Sequence, residues 1–180
     1  MALELADVKQ PPTTARPGTE VRIKGVPLSE PHDTPELLHG VAQKVLARIG
    51  SEKSIDDVQV CCFLADDPRP QRSGNQRVIP TFSFIMTFKQ PITRNHVVRL
   101  KRRYSKLMFS DVRAGEPHVE VGLFEILPCP VYRLLRLAKE KGRRSACDSV
   151  WSDDGRIYAR KNRGAERVEL ITEADQDLIA

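Results

Sequence analysis

In EVRIKGVP, Val21 and Ile23 alternate with Arg22 and Lys24, and Gly25 and Pro27 close the run, which predicts a half-buried strand. The period then changes. Across DTPELLHGVAQKVLARIG, Leu37, Leu38, Val41, Val45, Leu46 and Ile49 recur every three or four residues and form one buried helical stripe. Asp33 or Thr34 can cap that helix, Pro35 suits its first turn and Gly50 stops it. IDDVQVCCFLAD predicts a second strand with Val58, Val60 and Cys62 on one side, and DDPRPQRSGNQR, broken by Pro, Gly and charge, predicts a mobile loop. RVIPTFSFIMTFKQ predicts a third strand with Phe82, Phe84, Met86 and Phe88 on one side. ITRNHVVRLKRRYSKL returns to helical spacing, with Val97, Leu100 and Tyr104 inward and Arg99, Arg102, Arg103 and Lys106 mostly outward. A short strand over Leu107–Val112 completes the series.

Strand, helix, strand, strand, helix, strand is the order of a split β-α-β unit. The first domain is therefore expected to be ferredoxin-like, that is RNA-recognition-motif-like, over residues 20–113, after a disordered Pro- and Thr-rich lead-in at 1–19. A small α/β C-terminal domain follows over 119–180, so the fold class is α+β with two domains. Its strand is VEVGLFEILP, and its helix CPVYRLLRLAKEKGRR buries Val131, Leu134, Leu135 and Ala138. VWSDDGRIYARKN reads as a β-hairpin, and RVELI adds a strand before an acidic end.

The hairpin carries the most specific chemistry. Asp154-Gly155 suits a two-residue turn, which sets Asp153 opposite Arg156, Ser152 opposite Ile157 and Trp151 opposite Tyr158. Trp151, Arg156, Tyr158 and Arg160 then share one face, with Lys161 and Arg163 close by, while Val150, Ile157 and Ala159 face the helix. Interleaved arginines and aromatics suit a single strand of nucleic acid, because guanidinium groups hold phosphates and aromatic rings stack bases.

Charge distribution supports this reading. Residues 1–90 are neutral overall, residues 91–167 hold 18 Lys and Arg against 9 Asp and Glu, and the last 13 residues hold four acids and no base. A concentrated cationic block favours phosphate backbones as partners, and Arg143 and Arg144 at the end of KEKGRR extend it. On the first domain, burial of the Phe stripe against the helices leaves Ser83, Ile85 and Thr87 on the open face, beside Arg22 and Lys24 of the first strand. That face is expected to stack bases poorly and to read the backbone through cations.

Cys61, Cys62, Cys129 and Cys147 show no C-x-x-C pair and no metal-ligand spacing with histidine, so free thiols in a reducing, intracellular setting (cytoplasm or nucleus) are expected, with no metal and no cofactor. No apolar run approaches the ~20 residues of a membrane span. His32, His39, His96 and His118 are scattered, no phosphate-cradling Gly-rich loop occurs, and catalysis is not expected.

VRIKGVP, the helix ending LARIG, IDDV, the alternating third strand and the basic second helix together resemble the RNA-recognition-like domain of the first-open-reading-frame protein of LINE-type retrotransposons. LLRLAKEKG…VWSDDGRIYARKNRGAERVELITEADQDL resembles the C-terminal domain of that family and, more closely, the FP (few-polyhedra) proteins of baculoviruses and their insect retroelement relatives. The resemblance implies a packaging protein that coats single-stranded RNA or DNA with little sequence preference, acts as a nucleic-acid chaperone and binds through basic residues in a cleft between its domains. It places Arg160 and Lys161 on the family's Arg-Lys position, Arg22 and Lys24 on the first strand, and Arg102 and Arg103 on the basic second helix. Residues 1–19 show no heptads of the coiled coil by which such proteins multimerise. The alternative is a domesticated protein–protein interaction module, which should show an exposed apolar patch around Ile85, Phe63 or Tyr132.

Overall fold

A computed structural model describes residues 18–64, 79–104, 106–115, 117–145 and 147–179. The expected loop at 66–77 and all but the last two residues of the expected lead-in lie outside the described residues. The chain is mixed α+β and divides into two compact units, one over Gly18–Ile126 and one beginning at Leu127.

The first unit runs β1 (Glu20–Pro27), α1 (Pro35–Arg48), a 3-10 turn (Glu52–Asp57), β2 (Val58–Leu64), β3 (Thr81–Phe88), α2 (Pro91–Arg102), α3 (Phe109–Val112) and β4 (Gly122–Glu125). Its strands form one sheet in the order β2-β3-β1-β4, with every neighbour antiparallel. Period-two alternation sends Val21 and Ile23 of β1 and the Phe82, Phe84, Met86, Phe88 stripe of β3 to one face. There they meet Leu38, Val41, Ala42, Val45 and Leu46 of α1 and Val97 and Val98 of α2. The Thr34 hydroxyl caps α1 by accepting from the Leu37 amide, and Leu37 itself is exposed rather than part of the buried stripe.

Two expectations about the strands are also corrected. In β2 the register shifts between Val58 and Val60, so Val58 and Cys61 enter the core while Val60 and Cys62 turn outward. An irregularity of this kind reverses the side-chain alternation, and the three residues do not share a face. The second correction concerns the fourth strand. Residues 107–112 do not form one: Met108 makes a single bridge to Glu120, and Phe109–Val112 is a helical turn whose Asp111 carboxylate accepts from the Met108 amide at 3.1 Å. The strand beside β1 is instead Gly122–Glu125, from the segment expected to open the second domain, in register Val21↔Glu125 and Ile23↔Leu123. Val119, Val121 and Leu123 alternate inward and are all buried, so this segment brings three core side chains, against Leu107 and Phe109 from the other.

β1 also shifts register between Ile23 and Val26, and Gly25 sits there at φ +80. A Cβ on Gly25 would stand 2.0 Å from the Glu120 carbonyl oxygen, so only glycine allows the chain leading into β4 to pass this closely. On α2, Arg94 is buried and pairs with the equally buried Glu125 of β4, while its Nε donates to the Gly18 carbonyl at 2.8 Å. Glu30, also buried, is held by Arg113 at 2.6 Å and Lys44 at 2.9 Å.

The second unit comprises α4 (Cys129–Arg144), β5 (Ser149–Asp153), β6 (Arg156–Arg160), β7 (Val168–Leu170) and a 3-10 turn (Ala174–Ile179). The three strands pair in order β5-β6-β7, antiparallel throughout. Leu134, Leu135 and Ala138 of α4 pack on Ile157, Ala159 and Leu170. Gly142 lets α4 approach the sheet, because a Cβ there would come within 3.2 Å of the Val150 side chain.

Candidate nucleic-acid interface

The β5–β6 hairpin has the register the Asp-Gly pair implies: Asp153↔Arg156, Ser152↔Ile157 and Trp151↔Tyr158. Asp154 and Gly155 both have positive φ, 55° and 73°, the backbone of the tight turn that matches strand twist. Ile157 and Ala159 therefore enter the core, and Trp151, Arg156, Tyr158 and Arg160 take the other face.

On that face the rings of Trp151 and Tyr158 stack at 5.9 Å between centroids. Arg160 lies over Trp151 at 5.6 Å, and Arg167 lies over Tyr158 at 4.8 Å. The four side chains form a continuous run, Arg160, Trp151, Tyr158, Arg167, in which each cation sits in the field of a ring. Arg167 carries no signal in the sequence pattern; it reaches the face because β7 pairs with β6 and sets Glu169 opposite Tyr158, two residues away. Arg156 reaches Glu169 at 3.5 Å in an exposed pair of little strength. Among the described residues, the Arg160 Nε is buried with no hydrogen-bond partner. Lys161 and Arg163 follow β6 and are exposed, and Arg163 has no ion pair among the described residues.

Neither a protein-family model nor a curated protein matches this sequence.

The remaining candidates are dispersed. Arg143 and Arg144 lie in the last turn of α4; Arg144 pairs with Glu140 at 2.6 Å, and Arg143 points outward. In the first unit Arg22 is half-buried, and its Nε and Nη2 donate to the Ser83 hydroxyl at 3.1 and 2.8 Å. Lys24 is exposed two residues on. Arg102 leans to within 3.9 Å of Glu125, and Arg103 is exposed beyond the end of α2.

The open face of the first sheet carries Arg22 beside Ser83 and Ile85, opposite the buried Phe stripe, as expected, with two additions. Ser83 is buried under Arg22, and the face is not without an aromatic ring. The register Arg22↔Phe124 brings Phe124 of β4 beside Arg22 with 53% of its surface exposed. Its ring lies over Gly122, where a Cβ would be 2.2 Å away. Exposed Val60 and half-buried Ile85 also lie on this face, with Arg22 between Ile85 and Phe124. Phe124 escapes a reading of the sequence because its segment is assigned there to the other domain.

Glu30 and Cys61, both buried, have shifted acidity. Burial opposes ionisation of Glu30, but hydrogen bonds and charge from Lys44 and Arg113 outweigh it and hold the carboxyl below the ordinary 4.5. Burial, with the neighbouring Cys62, pushes the Cys61 thiol up to about 12. Among the described residues no three His, Cys, Asp or Glu side chains come together as a metal site, and no helix is long and apolar enough to cross a membrane.

Proposed function

We propose that this chain is a non-enzymatic binder of single-stranded nucleic acid that reads the phosphate backbone and stacks bases on its second unit. One observation carries the reading: the run Arg160, Trp151, Tyr158, Arg167 on a hairpin face turned away from the core. An entering base can take the place of a guanidinium on a ring, and the displaced guanidinium then meets the adjacent phosphate. Stacking of this kind contributes ~1–3 kcal/mol per base without depending on sequence. The buried Arg160 Nε with no partner, in a half-buried side chain, is a donor that a phosphate oxygen would satisfy.

The strand order β2-β3-β1-β4 with helices after β1 and β3 supports a ferredoxin-like, RNA-recognition-motif-like first unit. With the hairpin register, it supports descent from the LINE-type first-open-reading-frame and FP protein group, as an RNA-packaging protein of retroelement origin working inside the cell.

Fluorescence anisotropy with a mixed-sequence single-stranded RNA, titrated from low to physiological salt, tests the function. Binding should weaken steeply with salt, and R160Q/K161Q should flatten the slope by about 1.4, at ~0.7 for each single-strand phosphate that is no longer neutralised. No binding at low salt would reject the proposal. A second reading, a protein-interaction module, is favoured by the exposed Phe124 and Val60 on the open face of the first unit. It predicts a partner whose binding survives high salt and disappears in F124A.

A further inference from the structure

The cations of α4 are not equivalent. Arg133 is paired with Glu173 at 3.2 Å, Lys141 with Asp177 at 2.5 Å and Arg144 with Glu140 at 2.6 Å. Two of these acids come from the C-terminal stretch that follows β7, which therefore lies against part of the helix and neutralises it. The other cations, Arg136, Lys139 and Arg143, are exposed on the helix and have no acid partner among the described residues. Their spacing of three and four residues puts them in one lane along the helix. Tyr132, four residues before Arg136, opens that lane with 58% of its surface exposed. At 1.5 Å per residue the lane runs ~16 Å from the tyrosine to the last arginine.

A solvated helix face would distribute paired and unpaired cations without regard to lane. Here the pairing leaves one lane un-neutralised and headed by a ring. We infer that Tyr132, Arg136, Lys139 and Arg143 form a second binding track for a single nucleic-acid strand, with three phosphates on the cations and a base on the tyrosine. This rests on the nucleic-acid reading above and extends it to a surface that the hairpin face does not include. The hairpin face lies on the side of the sheet away from the core that α4 covers, so the second unit offers a strand two separate surfaces.

The test compares R136Q/K139Q/R143Q with the charge-matched R133Q/K141Q/R144Q, using the same single-stranded RNA and salt titration. The lane variant should lower the log–log salt slope by about 2, at ~0.7 for each of three phosphates, and the charge-matched variant by clearly less. Equal effects of the two triples would mean that only total charge matters, which overturns the inference. Y132A changes no charge. It should weaken binding to RNA roughly fivefold or more and leave binding to inorganic polyphosphate unaltered, because polyphosphate has no base to stack. An unchanged Y132A affinity removes the stacked base and overturns the track. If the lane variant binds RNA as the wild type does while R160Q/K161Q is weakened, the hairpin reading stands and the second track falls. If the lane variant loses only binding to poly-glutamate, the lane faces an acidic protein segment instead, and the inference also fails. Absence of RNA binding by the wild type at low salt sinks both. All the substituted side chains are exposed or at the helix flank, and far-UV circular dichroism checks that α4 is intact.

Discussion

Cutting the chain after Arg113, where the first series of predicted elements ends, should unfold the first unit, whereas cutting after Ile126 should leave it folded. The shorter fragment lacks Val119, Val121 and Leu123, which are 8%, 0% and 7% exposed. At ~1.5–3 kcal/mol for each fully buried side chain, their removal costs about 5–9 kcal/mol. It also removes Glu125 and strands Arg94, 2% exposed, without its carboxylate. Breaking a buried pair on one side typically costs ~3–5 kcal/mol. The backbone bonds Phe109 N to Val119 O and Val121 N to Leu107 O, both 2.7 Å, go as well. The side-chain terms alone reach about 8–14 kcal/mol, and a whole domain has only ~5–15 kcal/mol of stability. Far-UV circular dichroism and urea unfolding of fragments 1–113 and 1–126 measure this directly. A cooperative transition in the shorter fragment within about 1 kcal/mol of the longer one would refute the assignment of β4 to the first unit.

Gly25→Ala should destabilise the first unit by at least ~2 kcal/mol, since the new Cβ meets a backbone oxygen at 2.0 Å and φ is +80; an unchanged urea midpoint would contradict that geometry. Gly115→Ala, at φ +86 but with nothing within 4 Å of its Cβ, should lower the midpoint by less. Glu30 ionises more readily in the folded state than its ordinary 4.5. Its contribution is therefore complete above pH 4.5 and lost as pH falls through the lowered folded value. Urea midpoints between pH 7 and pH 3 should fall less for Glu30→Gln than for the wild type over that acid range. Iodoacetamide at about pH 8 should label exposed Cys62 and Cys129 and spare Cys61, whose buried thiol is shifted to about 12. Modification of native Cys61 at the Cys62 rate, followed by mass spectrometry, would show the core to be open.

What could be read from the sequence was set by local patterns. The hairpin register follows from two turn residues whose backbone preference is local, and the burial of Phe82, Phe84, Met86 and Phe88 follows from alternation within one strand. The β4 exchange was not legible, because both 107–112 and 119–125 alternate, and which of them lies beside β1 depends on pairing between residues about a hundred positions apart in sequence. A one-residue irregularity hid the facing of Val60 and Cys62, since apolar spacing alone cannot show where a ladder slips. Among the cations, sequence could count charges but not assign their partners. Arg22 is tied to Ser83 61 positions away, Arg102 leans on Glu125, and Arg94, which no local pattern marks, is the most deeply buried arginine described. Arg167 joined the aromatic run only through the β6–β7 pairing.

Trp151 is the only tryptophan of the chain. It stands between a tyrosine ring at 5.9 Å and a guanidinium at 5.6 Å. Excited selectively, its emission comes from one known position on the hairpin and from nowhere else. The indole is thus a built-in optical probe, and whatever displaces Arg160 from its ring will alter its colour or brightness without any dye attached to the protein.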